Sequence, residues 1–271
     1  MIDIHTHSKL SHDGKFSIPE MVAEAENKGL RYYAITEHLD RDYRYFFRLR
    51  FCKQLNVDKY RREREAFLKD YVSENGMYVA FGIEAGHSKK SMRDTKRTLK
   101  GEKLDFVINS IHTIAGGEDP YTKVYYTRNK EKLDAYNKYL DAVYESLFVP
   151  YDYQVVGHIG YVIRYAPFED ISICTPEFHA KIDDILKEIV SQDKTIEINT
   201  RIRKEGYNQL PEDYILKRFK ELGGTKVAYA SDAHRPEEIA GKYDIGVEAA
   251  KKAGFEYWTV YKDRQPVKME F

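Results

Sequence analysis

Short apolar runs rich in β-branched and aromatic residues alternate along this chain with longer segments in which apolar residues recur every three to four positions. The first pattern is typical of buried β-strands and the second of amphipathic helices. The candidate strands lie at residues 2–6, 32–36, 78–84, 105–111, 154–158, 195–199 and 226–231, with a weaker one at residues 256–261. This order predicts a series of βα units.

Three of the intervening segments carry clear helix signals. Ser17 and Glu20 have the spacing of a capping box, in which each residue bonds to the backbone of the other at the start of a helix. Apolar residues recur with helical spacing along residues 133–147 and 178–189, which predicts two further helices. Residues 41–75 are too many for a simple connection. We therefore predict an inserted segment there that contains a helix from about Val57 and acts as a lid.

A strand and helix series of this length forms either a closed parallel barrel or an open doubly wound sheet. The chain contains neither a Gly-x-Gly-x-x-Gly sequence nor a P-loop, the signatures of nucleotide-binding open sheets. Polar residues follow many of the predicted strands, and a barrel brings all strand ends to one mouth. We predict that residues 1–271 form a single TIM-barrel-like α/β domain.

The composition excludes several classes of protein. The 44 Lys and Arg residues balance 44 Asp and Glu residues, and no apolar run approaches the ~18 residues that cross a bilayer. Zero net charge does not favour a dedicated nucleic-acid-binding protein, and Met1 precedes no export signal. Cys52 and Cys174 are the only cysteines, which indicates neither a disulfide framework nor a Cys-rich zinc site. We expect a soluble cytoplasmic protein.

The candidate chemistry lies in histidines and carboxylates at the ends of the predicted strands. His5 and His7 are two positions apart on an extended segment, so both side chains project to the same side. The other strand ends carry His38, Glu84, His112, His158, Asp232 and His234. Together at one barrel mouth, these groups would be costly to desolvate without neutralising cations. Mixed nitrogen and oxygen donors favour zinc, manganese or iron over calcium or magnesium.

The motifs at these strand ends resemble those of the polymerase and histidinol phosphatase (PHP) family of metal-dependent phosphoesterases over nearly the whole chain. They read His5-Thr6-His7, Thr36-Glu37-His38, Glu84, Ser110-Ile111-His112, Gly157-His158, Glu197-Ile198-Asn199-Thr200 and Ser231-Asp232-Ala233-His234. The residues of these motifs resemble the histidinol-phosphate phosphatase branch more than the polymerase-linked branch. The resemblance implies a distorted seven-stranded barrel that holds three divalent metal ions at the carboxyl-terminal ends of its strands.

The resemblance also implies the ligands of each ion. The first ion takes His5, His7, Glu84 and Asp232, the second takes Glu84, His112 and His158, and the third takes His38, His234 and one residue soon after the first strand. That residue corresponds to Asp13, with the adjacent His12 as the alternative. His87 and His179 match no ligand motif and are expected to be structural or solvated.

The expected reaction is hydrolysis of a phosphate monoester, specifically L-histidinol phosphate to L-histidinol and phosphate in histidine biosynthesis. Metal ions lower the pKa of bound water toward about 7, so a metal-bridging hydroxide is the expected nucleophile. Asp232 and His234 are the candidates for proton transfer.

Phosphate recognition predicts arginines near the same mouth, because a guanidinium donates two parallel hydrogen bonds to phosphate oxygens. The resemblance implies Arg203, just past the sixth strand, and Arg164, six residues after His158, as the main candidates, although a surface salt bridge explains each equally well. Arg201 and Arg235 are the next, by their proximity to the same mouth. The acidic loop at residues 116–121 offers Glu118, Asp119 and Tyr121 as candidate partners for the imidazole and ammonium groups of the substrate, although a plain turn explains it equally well.

Two other functions stay open at this point. A PHP-type phosphodiesterase or exonuclease would hold nucleic acid with the basic segments at residues 41–64 and 89–103, the first of which also contains several aromatic residues. Acidic residues within both segments favour a solvated or substrate-steering surface instead. The third candidate is a metal-binding module without catalysis, which the complete ligand set does not favour.

Overall fold

Seven parallel strands follow one another around a nearly closed barrel in a computed structural model that describes residues 1–41, 54–114, 118–202 and 204–271. The strands are β1 (Ile2–Asp3), β2 (Tyr32–Leu39), β3 (Tyr78–Gly86), β4 (Phe106–Ser110), β5 (Val155–Val156), β6 (Thr195–Asn199) and β7 (Val227–Ala230). Each strand pairs with its neighbour in chain order. A parallel bridge between Thr6 and Ala233 brings the chain after β1 against the chain after β7. The predicted seven-stranded α/β barrel is confirmed.

Helices alternate with these strands, as the apolar stripes predict. They are α1 (Ile18–Asn27), α2 (Val57–Asp70), α3 (Met92–Leu99), α4 (Val124–Arg128), α5 (Lys132–Ser146), α6 (His179–Ser191), α7 (Asp213–Glu221) and α8 (Tyr243–Lys252). The predicted capping box is present at the start of α1, where the side chains of Ser17 and Glu20 each bond to the backbone of the other residue. Among the described residues, no helix is both long and apolar enough to span a membrane.

The strands are covered on both sides, by helices outside the barrel and by side chains within it. Every residue of β4 and β6 is buried, and so is every residue of β3 except the first. Strands of parallel barrels are accordingly almost continuously apolar. A carboxylate in such a strand, such as Glu84 in β3 or Glu197 in β6, therefore needs partners that repay its burial.

The weak eighth strand of the prediction forms, but it lies outside the barrel. β8 (Tyr257–Lys262) pairs antiparallel with β9 (Gln265–Glu270) through a tight turn whose two residues have φ of 48° and 65°. Tyr32 Oη donates to the carbonyl O of Tyr261 at 2.6 Å, and Thr195 Oγ1 lies 2.8 Å from Tyr261 Oη. Tyr32 and Thr195 begin their strands, so the hairpin packs at the amino-terminal end of the barrel.

Helix α2 packs against the outside of β2 and β3. The Tyr60 hydroxyl lies 3.0 Å from the carbonyl O of Ile35 and 2.8 Å from that of Gly82. The helix begins at Val57, as predicted, and occupies the position of a crossover between the two strands. Residues 42–53 of the predicted insertion lie outside the described residues, so the lid stays a prediction.

Candidate metal centre

The carboxyl-terminal ends of the strands bring all nine predicted ligands into one cluster. These residues are His5, His7, Asp13, His38, Glu84, His112, His158, Asp232 and His234. The parallel pairing of β2 with β3 sets His38 directly opposite Glu84. Except for the half-buried His38 and the exposed Asp13, every member of the set is buried.

The inner part of the cluster surrounds one oxygen of Glu84. His5 Nε2 lies 3.0 Å from His7 Nε2 and 3.2 Å from Glu84 Oε2. His7 Nε2 is 3.6 Å from both Glu84 Oε2 and Asp232 Oδ1. Four donor atoms from three strand ends therefore face one small volume, as the predicted first ion requires.

The other oxygen of Glu84 faces a second group of histidines. Glu84 Oε1 lies 3.0 Å from His112 Nε2 and 2.9 Å from His158 Nε2, and these two nitrogens are 3.4 Å apart. One carboxylate thus stands between the two predicted ligand sets that share it.

The outer part of the cluster joins the chain after β1 to β2 and to the chain after β7. Asp13 Oδ1 lies 3.7 Å from His38 Nε2, and Asp13 Oδ2 lies 2.9 Å from His234 Nε2. The alternative ligand His12 has its ring centroid 5.1 Å from that of His38. Asp13 lies near both predicted partners, and His12 can also hold an ion together with Asp13 and His38, so the choice between Asp13 and His12 stays a prediction.

A glycine and a buried glutamate fix the loop that carries Asp13. A Cβ on Gly14 would lie 1.9 Å from the carbonyl O of Ser8, so this close approach requires glycine. Glu37 accepts a hydrogen bond from Ser8 Oγ at 2.5 Å and another from Ser11 Oγ. The loop is therefore tied to β2, next to His38.

Burial and mutual charge polarise the cluster. Burial disfavours the charged forms, yet Glu84 and Asp13 raise the pKa of His38 to about 9. His5 and the histidines near Glu84 hold the pKa of Glu84 well below its usual range, against the same burial. Burial, with His38 and His234 nearby, keeps the pKa of His7 well below its ordinary value. Dense opposite charge of this kind is typical of functional sites.

The donor atoms also fit divalent cations. Glu84 Oε2 and His38 Nδ1 are 2.7 Å apart, yet both are buried atoms without a hydrogen-bond partner in the part of the chain that the structure describes. His234 Nε2 is in the same situation, 2.9 Å from Asp13 Oδ2. Lone pairs that converge without hydrogen bonds are what a cation satisfies, and imidazole with carboxylate suits zinc, manganese or iron.

Two of the predicted arginines line the cavity at the cluster, and a third lies at the surface. Arg164 lines the cavity at the cluster, and its Nη2 donates to Asn199 Oδ1 at 2.8 Å and to Asp232 Oδ2 at 3.2 Å. Arg201 also lines the cavity and donates to the carbonyl O of Asp232 at 2.5 Å. Arg235 pairs with Glu237 at the surface. Arg203 lies outside the described residues.

The cavity holds about 330 Å³ and has an aromatic side. Tyr161 packs against His158 with ring centroids 5.3 Å apart, and Tyr165 continues from it toward the exposed Tyr121. Of the acidic-loop candidates, Tyr121 lines the cavity, whereas Glu118 pairs with Arg128.

Sequence reasoning gave no role to two buried carboxylates that reach the cluster, Asp40 and Glu197. Asp40 Oδ1 lies 2.8 Å from His112 Nδ1, and Glu197 Oε1 lies 2.5 Å from His5 Nδ1. Asp40 is two positions beyond His38, and Glu197 opens one of the motifs quoted above. Their proximity in sequence to predicted site residues and motifs was the only indication of a role in the site.

The two histidines outside the ligand motifs lie apart from the cluster. His179 Nε2 lies 3.0 Å from the carbonyl O of Cys174, and its ring stacks on Tyr214 at 4.4 Å. His87 is buried after β3, and its backbone N–H donates to the carbonyl O of Ser110.

A buried cluster of histidines and carboxylates at the mouth of a parallel barrel defines a metal-centre protein, and comparison with known proteins gives its family. The profile of the PHP domain matches residues 3–201. The chain belongs to the PHP domain family, which confirms the resemblance in its motifs.

The similar proteins cover nearly the whole chain. A probable histidinol-phosphatase of Clostridium acetobutylicum is 31% identical over 253 residues, which is 93% of each chain. The histidinol-phosphatase of Lactococcus lactis subsp. lactis is 31% identical over 261 residues, covering 94% of this chain and 91% of that protein. A crystal structure of histidinol phosphate phosphatase from the same Lactococcus, complexed with zinc, L-histidinol and phosphate, superposes with a TM-score of 0.81 and 27% identity over 98% of each chain.

Proposed function

We propose that this protein is a metal-dependent phosphomonoesterase that hydrolyses L-histidinol phosphate to L-histidinol and phosphate in histidine biosynthesis. The observation that carries the proposal is the position of Glu84 between two sets of histidines, with the half-buried Arg164 in the same cavity. The likeness to histidinol-phosphatases over nearly the whole chain supports the choice of substrate. A biosynthetic role of this kind supports a cytoplasmic location.

Three ions of zinc, manganese or iron fit the donor groups of the cluster. The proposed ligand sets are His5, His7, Glu84 and Asp232 for the first ion, Glu84, His112 and His158 for the second, and Asp13, His38 and His234 for the third. When bound, such ions neutralise phosphate charge and lower the pKa of coordinated water. The buried strand ends keep the donors in place before any ion enters.

Arg164 is the proposed phosphate-binding residue. Its Nη2 is held by Asn199 and Asp232, whereas its buried Nε has no hydrogen-bond partner among the described residues. The guanidinium is therefore fixed in orientation, and because Arg164 lines the cavity, a phosphate oxygen bound there can accept a hydrogen bond from it. Arg203 stays a second candidate on the sequence alone.

Asp232 and His234 are the proposed proton-handling residues. His5 and Arg164 hold the pKa of Asp232 well below its usual range despite its burial, so the carboxylate stays ionised and able to accept a hydrogen bond. His234 Nδ1 lies 2.9 Å from the carbonyl O of Asp232, so Nε2 is the nitrogen left either for the third ion or for a proton, and His234 handles protons only when that ion is not bound. Both side chains line the cavity that holds Arg164.

Phosphate release from L-histidinol phosphate tests the proposal directly. The metal-depleted protein is reconstituted separately with zinc, manganese and iron, then assayed with L-histidinol phosphate, an aryl phosphate and single-stranded DNA. We expect the highest kcat/KM with L-histidinol phosphate. Absence of phosphate release from it with every metal rejects the substrate assignment, and degradation of the DNA instead supports the phosphodiesterase alternative.

A further inference from the structure

The two ring nitrogens of a ligand histidine have different tasks. One binds the ion, and the acceptor bonded to the other fixes the tautomer and the orientation of the ring. His7 Nδ1 lies 3.2 Å from Ser11 Oγ, and His234 Nδ1 lies 2.9 Å from a backbone carbonyl O. These partners are uncharged.

The rings of His5 and His112 have carboxylates in that position. His5 Nδ1 lies 2.5 Å from Glu197 Oε1, and His112 Nδ1 lies 2.8 Å from Asp40 Oδ1. The other nitrogen of each ring faces Glu84. His5 Nε2 lies 3.2 Å from Glu84 Oε2, and His112 Nε2 lies 3.0 Å from Glu84 Oε1. One carboxylate-backed ring therefore stands at each oxygen of the central carboxylate.

Glu197 makes a second contact that links two strand ends. The residue is fully buried in β6, and its Oε2 accepts a hydrogen bond from the backbone N–H of His158 at 2.5 Å. One side chain thus bonds to a ring beyond β1 and to the backbone beyond β5. A buried carboxylate with both oxygens used in this way fixes the positions of both ligands.

The carboxylate of Asp40 occupies the space next to Gly86, where no side chain is present. A Cβ on Gly86 would lie 1.7 Å from Asp40 Oδ1, so only glycine at the end of β3 admits this carboxylate beside His112. The other oxygen, Oδ2, lies 3.5 Å from His38 Nδ1. The carboxylate is thus directed toward the ring of His112 and away from solvent.

We propose that Glu197 and Asp40 are positioning residues that hold the rings of His5 and His112 with Nδ1–H bonded to a carboxylate and Nε2 directed at the ions shared through Glu84. The inference rests on the proposed function only in that these histidines bind metal. Loss of such a partner weakens metal binding about 10- to 100-fold in proteins generally.

The test measures metal binding in Glu197→Gln and Asp40→Asn without any substrate. Competition with a chromophoric chelator gives the zinc dissociation constants, and the visible spectrum of the cobalt-substituted protein reports ligand geometry. We expect about 10- to 100-fold weaker binding and an altered cobalt spectrum in each variant. Circular dichroism and the melting temperature establish that each variant is folded.

The matched control is Asp105→Asn. Asp105 accepts hydrogen bonds from Tyr78 Oη and from the backbone N–H of Phe81, both at 2.8 Å, at the opposite end of the barrel. We expect its loss to change stability and to leave zinc affinity and the cobalt spectrum as in the native chain. Equal weakening in the control and in the two test variants would overturn the proposal.

A double variant separates positioning from a general structural effect. The amide oxygen that Glu197→Gln introduces can still accept from the backbone N–H of His158, so the variant chiefly loses the charged partner of His5. If Glu197 acts through His5, Glu197→Gln added to His5→Ala should therefore weaken zinc binding by less than about twofold beyond His5→Ala alone. Full additivity, or native zinc affinity in a folded Glu197→Gln, contradicts the proposal. If that variant does not fold, Asp40→Asn decides by the same measurements. Native metal binding without turnover of L-histidinol phosphate would reject the substrate assignment alone.

Discussion

The two oxygens of Glu84 face different histidines, with Oε1 near His112 and His158 and Oε2 near His5. Removing this carboxylate leaves the two ligand sets without their common member. We expect Glu84→Ala to retain fewer bound ions per chain than the native protein and to lose about 10²-fold or more in kcat/KM, since metal and carboxylate stabilise transition-state charge together.

Elemental analysis after dialysis measures the ions that Glu84→Ala retains. Glu102→Ala is the control, because Glu102 is also largely buried but pairs with Arg61 outside the cavity, at 2.7 Å. Native metal stoichiometry in Glu84→Ala would contradict the bridging role.

Arg164 combines a fixed orientation with a position in the lining of the cavity. We expect Arg164→Met to raise KM for L-histidinol phosphate about 10- to 100-fold, the effect of losing one charged hydrogen bond of about 1.5–3 kcal/mol. Bound metal should stay at the native level because the proposed ligands are retained. Steady-state kinetics with elemental analysis separate the two quantities. Arg235→Met is the control at an exposed arginine, and an unchanged KM in Arg164→Met would remove Arg164 from the site.

We expect His87 to make stability depend on pH, independently of the metal centre. Burial lowers its pKa to about 4, below the value near 6.5 in an unfolded chain. The unfolded state therefore binds the proton first as pH falls, and the folded state loses stability from about pH 6.5 down to about pH 4. Between neutral pH and about pH 5 this loss amounts to about 2 kcal/mol.

Replacing His87 by Asn should remove that part of the pH dependence. Urea unfolding of both proteins in chelator at several pH values measures it, because the histidines of the cluster contribute equally to each protein. Parallel curves for the native chain and His87→Asn would show that His87 does not titrate in this way.

The residues of the cluster were predictable because their spacing and their places after strands are visible along the chain. His5 and His7 share a motif, and the pairing of His38 with Glu84 follows from parallel neighbouring strands. Asp40 and Glu197 were not, because a residue that holds a ligand needs only to reach it in space. No spacing along the sequence reports the distance from β6 to His5.

Helix α1 shows how local sequence determines an element. The side chain of Ser17 accepts a hydrogen bond from the backbone of Glu20, and the Glu20 carboxylate completes the capping box. We expect Ser17→Ala to cost about 1 kcal/mol. For a chain of this size this cost lowers the melting temperature by about 2–4 °C. Calorimetry checks the shift, with Ser191→Ala at the far end of α6 as the control, expected within about 0.5 kcal/mol. Equal shifts would argue against the cap.

Element boundaries were predicted less well where strands lead into the site. β1 ends at Asp3 and β5 at Val156, shorter than the predicted runs at residues 2–6 and 154–158. The chain beyond each still bonds to neighbouring strands, through the bridge between Thr6 and Ala233 after β1 and through the backbone N–H of Gly157 after β5. The role of β8 was also not predictable, since its apolar pattern suits a barrel strand and a packed hairpin equally. The turn into β9 decides between them.

At the scale of the whole molecule, the metal centre connects parts of the chain that are remote in sequence. Its proposed ligands come from the ends of β1, β2, β3, β4, β5 and β7. Ions bound there stabilise the folded barrel relative to the unfolded chain, which has no such arrangement. Several ring nitrogens and one Glu84 oxygen of this cluster are buried and have no hydrogen-bond partner among the described residues, and bound ions would satisfy them. Stability should therefore depend on metal concentration.

Chelation should lower the melting temperature of the native protein, and added zinc should restore it. At a free metal concentration about 100 times the dissociation constant, one site contributes about 2.7 kcal/mol. For a chain of this size that corresponds to roughly 5–10 °C. Glu84→Ala should respond less because its central ligand is missing, whereas Glu102→Ala should respond like the native chain. A melting temperature of the native chain that does not change between chelator and zinc would mean that the converging histidines bind no ion that contributes to the fold.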